Sequence, residues 1–249
     1  MKHGSRKIMI TGASGGIGRS LASRLQAQGW TVLAVGRELE RLQKVPCTGR
    51  IVADTTTPEG AAEAVDACLR MGGGGPLHLA HCVGNTLIAP LHRTSADQVR
   101  HVLAVNLESA IFTLGAWLTG TCQSATPGAA VLVSPVVSRI GVAKHEAIAA
   151  AKGGVEALAR SAAATYAAQG IRINAVAPGL AETPLTAGVP GPAGAHAAME
   201  RQYPLGGLQT AEDVSGVIAW LLSDSASRIT GQVIGVDGGF AQIRPTVRG

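Results

Sequence analysis

The fold is decided by one stretch of this sequence, Lys7-Ile8-Met9-Ile10-Thr11-Gly12-Ala13-Ser14-Gly15-Gly16-Ile17-Gly18. Its three consecutive apolar residues, Ile8 to Ile10, predict a short buried strand, and residues 19–28 continue with the apolar spacing of a helix. A glycine-rich turn between a strand and a helix lets backbone N–H groups approach a ligand, and the start of the helix carries a partial positive charge. The stretch therefore predicts a phosphate-binding turn, although a flexible turn without a ligand would fit the same letters.

The rest of the chain continues this alternation of strands and helices. Apolar, β-branched runs predict further strands at residues 31–35, 51–53, 77–83, 129–133, 171–177 and 232–236, and helices between them at 38–44, 58–71, 95–122, 145–169 and 210–223. A break is expected near Asn106, and residues 180–195 are expected to form an irregular loop. The alternation predicts an α/β fold: a Rossmann-type, doubly wound parallel sheet of about seven strands with helices on both faces.

Length and composition limit the domain organisation and the core. The 249 residues fit one large domain or two small ones, and no shift in composition marks a boundary, so one domain over residues 1–249 is predicted. Hydrophobic residues make up 46% of the chain but aromatic residues only 3%. The core must therefore consist mainly of Ala, Val, Leu and Ile.

Charge and cysteine usage exclude several classes of protein. The net charge of +5 is spread along the chain, so no Lys/Arg cluster predicts nucleic-acid binding, although a mild positive bias suits an anionic ligand. The four cysteines are scattered without C-x-x-C spacing, which predicts reduced thiols in a cytoplasmic protein and no metal site. No apolar run approaches the length of a membrane span and no apolar signal segment is seen, so no membrane association is expected.

Ligands of a doubly wound sheet bind at the carboxyl ends of the strands, where the winding reverses. Several residues suited to ligand binding follow predicted strands, namely Gly12 to Gly18, Arg37, Asp54, Gly84, Ser134 and Pro178-Gly179. A small-molecule site is therefore expected along this edge.

With these positions placed, the chain resembles the short-chain dehydrogenase/reductase family over nearly its whole length. The matching features are Thr11-Gly12-x-x-x-Gly16-x-Gly18, Asp54, Gly84, Val105-Asn106, Lys152, Asn174-x-x-x-Pro178-Gly179, Thr183, Ile229-Thr230-Gly231-Gln232 and Val236-Asp237-Gly238-Gly239. Each motif alone is weak, but their shared order and spacing are specific. The resemblance implies a nicotinamide dinucleotide as cofactor and a small molecule as substrate.

The resemblance also implies cofactor roles for the matching positions. The backbone from Ser14 to Ile17 would hold the pyrophosphate, Asp54 would contact the adenine, and Lys152 would bind the nicotinamide ribose. The segment from Pro178 to Thr183 would contact the carboxamide. Arg37 ends the second strand, where an acidic residue favours a free 2′-hydroxyl and an Arg accommodates a 2′-phosphate, so NADP(H) is favoured over NAD(H) unless Arg37 is only a solvated residue.

The sequence departs from this family at the catalytic group, which usually comprises Asn, Ser, Tyr and Lys, with Tyr four residues before Lys. Asn106 and Lys152 match, but Ile148 stands at the Tyr position and Pro135 at the Ser position. An isoleucine cannot transfer a proton. Ser134, beside Pro135, is the remaining candidate for a substrate-contacting hydroxyl.

Two interpretations follow. The first is an oxidoreductase that reduces an enoyl or carbonyl substrate with another proton donor, or with none of its own side chains as donor. The 2,4-dienoyl-CoA reductases likewise lack this Tyr and have A-A-A-K there. His145, one helical turn before Ile148, is the main candidate donor, and the others are Lys144, Glu146, His81 and Tyr203. The second is a catalytically degenerate member that serves as a cofactor-binding or structural subunit.

The predicted helix at 145–169 is rich in Ala and Gly. Its small side chains allow another helix to approach closely, and in the resembled family this helix forms a subunit interface. A homodimer or homotetramer is therefore expected, although the high helix propensity of Ala also explains a well-formed buried helix.

Overall fold

The computed structural model describes residues 6–71, 75–124, 126–186 and 195–245. Among them the strands are β1 (Lys7–Thr11), β2 (Thr31–Gly36), β3 (Gly49–Val52), β4 (Leu77–His81), β5 (Ala129–Val133), β6 (Arg172–Pro178), β7 (Ala181–Glu182), β8 (Gln209–Thr210) and β9 (Val233–Val236). The α-helices are α1 (Gly16–Ala27), α2 (Leu39–Gln43), α3 (Pro58–Arg70), α4 (Ala96–Leu103), α5 (Ser109–Ser124), α6 (Glu146–Tyr166), α7 (Ala195–Glu200) and α8 (Ala211–Leu222).

Seven strands form one parallel sheet in the order β3-β2-β1-β4-β5-β6-β9, and β7 pairs with β8 separately. The chain builds the sheet from β1 towards β3, returns to β4 on the other side of β1, and then continues to β9. The winding therefore reverses between β1 and β4. The predicted α/β class, parallel arrangement and number of strands in the main sheet are confirmed.

The two faces of the sheet carry separate apolar layers because consecutive side chains of a strand point in opposite directions. Ile8 and Ile10 of β1 pack in a cluster with residues of α1 and α8, whereas Met9 packs with residues of α3, α5 and α6. Trp117 of α5 is fully buried in the second layer and donates a hydrogen bond to the Leu77 carbonyl oxygen at 2.7 Å.

The helix connecting β4 to β5 corrects one expectation. The break predicted near Asn106 is a π-helical turn, Ala104–Glu108, so α4 and α5 form one continuous helical segment. This segment, Ala96–Ser124, is long and apolar enough by length and composition to cross a membrane, with a mean hydropathy of 1.4 in its apolar window. The predicted helix at 95–122 already had this length, and Asp97, Arg100 and Glu108 interrupt its apolar residues, so it is not a continuous apolar run. Leu114 and Trp117 pack in the core, which accounts for apolar residues of this segment.

The loop predicted at residues 180–195 is only partly irregular. The short strand β7 lies within it, and α7 begins at its end. Residues 187–194 of the predicted loop lie outside the described residues.

Candidate active site

A polar cavity of about 250 Å³ opens where the winding of the sheet reverses. It includes the predicted cofactor residues Gly12, Ser14, Arg37, Asp54 and Gly84. The full lining comprises Thr11, Gly12, Ser14, Gly15, Val35, Gly36, Arg37, Glu38, Arg41, Ala53, Asp54, Thr55, Thr56, Cys82, Val83, Gly84, Asn85, His101 and Val105.

Two glycines allow the backbone to make the turn after β1. Gly12 has φ +65°, and a Cβ on it would lie 2.7 Å from the backbone carbonyl of Cys82. A Cβ on Gly18 would collide with the Gly12 carbonyl oxygen. Larger residues at either position would therefore displace the turn from its neighbouring strand or from α1.

The start of α1 is suited to binding an anion. The N-cap residue is Gly15, which has no side chain with which to cap the helix, and the first turn contains no acidic residue. Backbone N–H groups at an uncapped helix start attract negative charge. Thr183 lies against this turn, since a Cβ on Gly16 would be 2.7 Å from Thr183 Cγ2. The structure thus brings Thr183 to the beginning of the helix that contains Gly16, Ile17 and Gly18.

Charged side chains from β2, α2 and β3 line another part of the polar cavity. Arg37 follows β2, and Arg41 Nη1 pairs with Glu38 Oε1 at 3.3 Å. Asp54 Oδ1 accepts hydrogen bonds from the Thr56 backbone N–H at 3.0 Å and hydroxyl at 2.8 Å. Partial burial opposes ionisation of Asp54, but these hydrogen bonds and the Arg37 charge hold its pKa below the ordinary value. Asp54 is therefore a carboxylate that accepts hydrogen bonds at neutral pH.

Lys152 of α6 lies beneath Gly84. Its Nζ donates to the Val83 and Val133 carbonyl oxygens at 3.2 and 3.0 Å, which leaves one of its three N–H donors. Burial lowers the pKa of the Lys152 ammonium to about 8. A Cβ on Gly84 would lie 3.4 Å from Lys152 Nζ and 3.0 Å from Asn106 Oδ1. Glycine at this position therefore keeps the space beside both polar groups open.

A second, apolar cavity of about 350 Å³ adjoins the polar one. Asn85 lines both cavities, and its backbone N–H donates to Asn106 Oδ1 at 3.2 Å. The full lining of the apolar cavity comprises Asn85, Thr86, Ile88, Pro135, Val136, Val137, Val142, His145, Ile148, Pro178, Gly179, Leu180, Leu185, Thr186, Met199, Gln202, Tyr203 and Phe240. A ligand that fills the polar cavity therefore borders on one that fills the apolar cavity.

Pro135 and Ile148 both line the apolar cavity. Ile148 is 2% exposed and packs with Val102 and Ala151. The positions at which the resemblance places a Ser and a Tyr are thus occupied by two apolar residues that belong to one wall.

Two of the candidate proton donors, His145 and Tyr203, line this cavity. His145 precedes α6, and its Nδ1 lies 2.8 Å from the Ala143 carbonyl oxygen, to which it donates. The Nε2 atom of His145 is left for a ligand. Lys144 and Glu146 are exposed and line neither cavity.

Ser134 lies away from both cavities. It is fully buried, and its hydroxyl donates to the Lys152 carbonyl oxygen at 3.0 Å. The Ser138 hydroxyl donates to Glu156 Oε1 at 2.7 Å, and Glu156 pairs with Arg160 at 3.6 Å. In this network the hydroxyls hold β5 against α6. The Ser134 hydroxyl therefore does not face a substrate in this structure, and Ser134 is not part of the proposed catalytic group.

His81 is fully buried at the end of β4 and is a structural residue in this arrangement. Its Nδ1 accepts from the Thr11 hydroxyl at 2.9 Å, and its Nε2–H donates to Ser109 Oγ at 3.2 Å. The Ser109 hydroxyl in turn donates to the Val105 carbonyl oxygen at 2.6 Å, within the π-helical turn. Burial and the Lys152 charge lower the pKa of His81 to about 3, so the ring is neutral and cannot serve as an acid near pH 7.

This low pKa predicts a loss of stability in acid. The unfolded chain protonates His81 near its ordinary pKa of 6.5, whereas the folded protein protonates it only near 3. The free energy of unfolding should therefore fall as the pH is lowered from 6.5 towards 3, with His81 contributing on the order of a few kcal/mol. Urea titrations across this range should show a shallower pH dependence for His81→Asn than for wild type. Parallel curves for His81→Asn and wild type would refute this role.

The structure adds residues that sequence reasoning missed. Asn85 and Arg41 line the polar cavity, and Met199, Gln202 and Phe240 line the apolar one. Asn85 follows Gly84 directly after a strand, so its position could have indicated it; the other four are brought in by packing. Among the described residues, no group of three or more His, Cys, Asp or Glu side chains is arranged to hold a metal ion.

Comparison with known proteins gives one consistent result. A family model described as "Enoyl-(Acyl carrier protein) reductase" matches residues 12–241. The chain is 35% identical to the cis-4-hydroxycyclohexanecarboxylate dehydrogenase of Sinomonas cyclohexanicum over 246 residues, covering 96% of this chain and 97% of that one. It is 34% identical to the cyclohexanol dehydrogenase of Acinetobacter sp. (strain SE19) over 249 residues, covering 96% of each.

The fold is similar to that of a short-chain type dehydrogenase/reductase from Mycobacterium ulcerans. The TM-score is 0.89 at 28% sequence identity, and the match covers 98% of this chain and 92% of that one. The family match therefore extends from the turn after β1 to the residues beyond β9.

Proposed function

The chain belongs to the short-chain dehydrogenase/reductase family, and on that premise we propose that it is an NADP(H)-dependent oxidoreductase that reduces an enoyl or carbonyl substrate without the family's usual Ser and Tyr. One observation carries the proposal: a polar cavity suited to a dinucleotide and an apolar cavity suited to a substrate meet at Asn85. Hydride transfer needs the two reactants to be held side by side.

The residues of the polar cavity fit the cofactor. The uncapped start of α1 would hold the pyrophosphate, and Arg37 would pair with the 2′-phosphate. The remaining N–H donor of Lys152 and the open space at Gly84 suit the ribose next to the nicotinamide. Pro178 and Gly179, at the end of β6, reach the apolar cavity and would border the nicotinamide ring. When bound, the cofactor supplies or accepts the hydride.

His145 is the proposed proton donor. In its doubly protonated form the ring donates from Nδ1 to the Ala143 carbonyl and from Nε2 to the substrate. The substrate gains this proton, and the neutral imidazole regains one from water. Asn85 lines both cavities, and Asn106 positions it by accepting its backbone N–H, so these residues hold the site rather than transfer a proton. Lys152 holds the backbone of Val83 in the same way.

The proposal is tested by following NADPH oxidation across enoyl thioesters, quinones and ketones. The names of the two curated relatives make cyclohexane-ring ketones the first compounds to test. Turnover of any one class would support the oxidoreductase and identify its substrate chemistry. Tight NADPH binding without turnover of any class would favour the alternative below.

His145→Gln is expected to lower kcat by roughly a hundredfold or more on the substrate so identified, because general acids contribute about 10² to 10⁴ in rate. Its NADPH affinity should remain that of wild type, because His145 does not line the polar cavity. The control Lys144→Gln, at the exposed neighbouring position, should keep the wild-type kcat. Full activity of His145→Gln would refute the assignment.

The alternative function is a catalytically degenerate subunit that binds the cofactor. It is favoured by Pro135 and Ile148, which make the wall beside the nicotinamide site apolar. It accounts for the retained cofactor residues Gly12, Asp54 and Lys152 without requiring a proton donor. It predicts NADPH binding with no NADPH oxidation.

A homo-oligomer and a reducing, cytoplasmic location complete the proposal. The exposed residues Ala150, Ala157 and Ala164 recur every seven positions along α6, so a second helix could pack closely there. All four cysteines are free thiols, which suits a reducing compartment.

A further inference from the structure

The Tyr203 hydroxyl is a polar group of the apolar cavity that the proposed function leaves unused. Tyr203 follows α7 and is 7% exposed. Its ring stacks on Phe240, with 4.9 Å between ring centroids and an interplanar angle of 25°. Its oxygen accepts a hydrogen bond from the Leu180 backbone N–H at 2.7 Å.

This hydrogen bond leaves the phenol proton available. The Leu180 N–H is itself a donor, so the Tyr203 O–H needs a different acceptor. Within the described part of the chain no acceptor forms a hydrogen bond with it. A buried donor without an acceptor is unfavourable, and a ligand oxygen in the cavity would satisfy it.

The ring is held in place before any ligand binds. A Cβ on Gly179 would lie 2.6 Å from Tyr203 Cε1, so the ring packs directly on this glycine, while Phe240 stacks on it. Because the hydroxyl is fixed by Leu180 as well, little side-chain freedom is lost when it donates to a ligand. Gly179 belongs to the segment that the proposed function places beside the nicotinamide ring, so Tyr203 packs directly on that segment.

The rest of the cavity limits the kind of ligand. No Lys, Arg, Asp or Glu is among the described residues that line it. A charged group placed there would lose its hydration without gaining a Lys, Arg, Asp or Glu partner, and His145 is the one described lining residue that carries a charge in the proposed mechanism.

We propose that the substrate is a neutral, mainly apolar molecule whose carbonyl oxygen accepts a hydrogen bond from Tyr203. This inference rests on the proposed function in taking the apolar cavity as the substrate site. Pro135 and Ile148 have no polar side-chain atom that could bind the substrate oxygen. Tyr203 supplies that hydrogen-bond donor instead.

The test measures binding of small probes, with and without NADPH, by ligand-observed NMR titration. Cyclohexanone is compared with methylenecyclohexane, which has the same shape but no oxygen. Tyr203→Phe should weaken cyclohexanone binding by roughly threefold to tenfold, the effect of one lost neutral hydrogen bond, and leave methylenecyclohexane binding unchanged. A merely structural role for Tyr203 would weaken both probes equally and would overturn the proposal, as would an unchanged affinity for cyclohexanone.

Charge selection is tested with 4-oxocyclohexanecarboxylate and its methyl ester. The ester should bind at least roughly tenfold more tightly in His145→Gln, because no Lys or Arg is among the described lining residues and this variant lacks the imidazolium of His145. Equal affinities would overturn the neutral-substrate inference. If Tyr203→Phe does not fold, the preference for cyclohexanone over methylenecyclohexane is measured in His145→Ala, which lacks the other proposed donor of the cavity. A preference that persists there supports the hydrogen bond from Tyr203, and its loss overturns that hydrogen bond. Probe binding measured without NADPH tests the role of Tyr203 alone. The NADPH titration tests the cofactor proposal separately, so the two failures are distinguishable.

Discussion

Replacing Arg37 with alanine is expected to weaken NADPH binding by roughly tenfold to a hundredfold and to leave NADH binding unchanged. Arg37 lines the polar cavity directly after β2, where the 2′-phosphate of NADPH would lie. Arg41 lines the same cavity but is paired with Glu38. In the described structure no carboxylate pairs with Arg37 at hydrogen-bond distance. The positive charge of Arg37 is therefore available to the 2′-phosphate. Fluorescence titration of both cofactors measures the effect.

A matched control separates local pairing from overall charge. Arg228 is exposed and precedes β9, so it lies at the opposite edge of the sheet from the polar cavity. Arg228→Ala removes the same charge and should bind both cofactors as wild type does. If wild type binds NADH as tightly as NADPH, or if Arg37→Ala and Arg228→Ala behave alike, the 2′-phosphate role is refuted.

The features that sequence could predict are those set by local pattern. Three apolar residues followed by a glycine-rich turn specify β1 and the start of α1 without knowledge of the rest of the chain. Arg37, Asp54 and Gly84 follow strands, and parallel strands all point their carboxyl ends to one edge, so their gathering in one cavity follows from topology.

The side-chain roles could not be predicted in the same way, because they depend on partners distant in sequence. Ser134 and His81 both end strands, as Asp54 nearly does, but the Ser134 hydroxyl is bound by α6 and the His81 ring by Thr11 and Ser109. A hydrogen-bonding side chain at a strand end can thus bind either a ligand or a neighbouring helix or strand of the protein. Only the packed structure distinguishes the two.

The walls of the apolar cavity were hidden for a related reason. Tyr203 and Phe240 lie 37 positions apart and become neighbours by stacking. Neither belongs to a periodic pattern, and Tyr203 was only one of several candidate donors in the sequence. The Tyr203 ring can pack against position 179 only because Gly179 has no side chain. The sequence motifs do not show that a ring lies against this glycine.

Pro135 and Ile148 are best understood together. They come from different elements, one after β5 and one within α6, and both contribute apolar atoms to the same cavity. If only one of the two family residues, Ser or Tyr, were absent, the other would face an apolar wall as a lone polar group. With Pro135 and Ile148 both present, the wall is apolar at both positions. Neither side chain therefore offers a hydrogen-bond donor to the cavity.

Restoring both groups in Ile148→Tyr/Pro135→Ser is expected to raise the NADPH-dependent reduction of cyclohexanone that remains in His145→Gln by roughly a hundredfold or more, the contribution of a positioned general acid. Every variant of this series therefore carries His145→Gln, which removes the proposed proton donor of the wild type. Lys152 lies four residues after position 148, on the same face of α6, so its charge would favour the new phenolate. Pro135 has φ −63° and ψ 155°, a backbone conformation that serine adopts without strain. Initial rates of NADPH oxidation measure the gain.

The control is Ile148→Phe/Pro135→Ser, which adds the same ring without the hydroxyl. Both variants enlarge a side chain that is only 2% exposed and packs with Val102 and Ala151, so a loss of stability of about 1–3 kcal/mol is expected in each. Because that loss is shared, any difference in rate between them belongs to the hydroxyl group. Equal rates in the two folded, NADPH-binding variants would mean that position 148 does not reach the reacting carbonyl, and the placement of the substrate beside α6 would have to be abandoned.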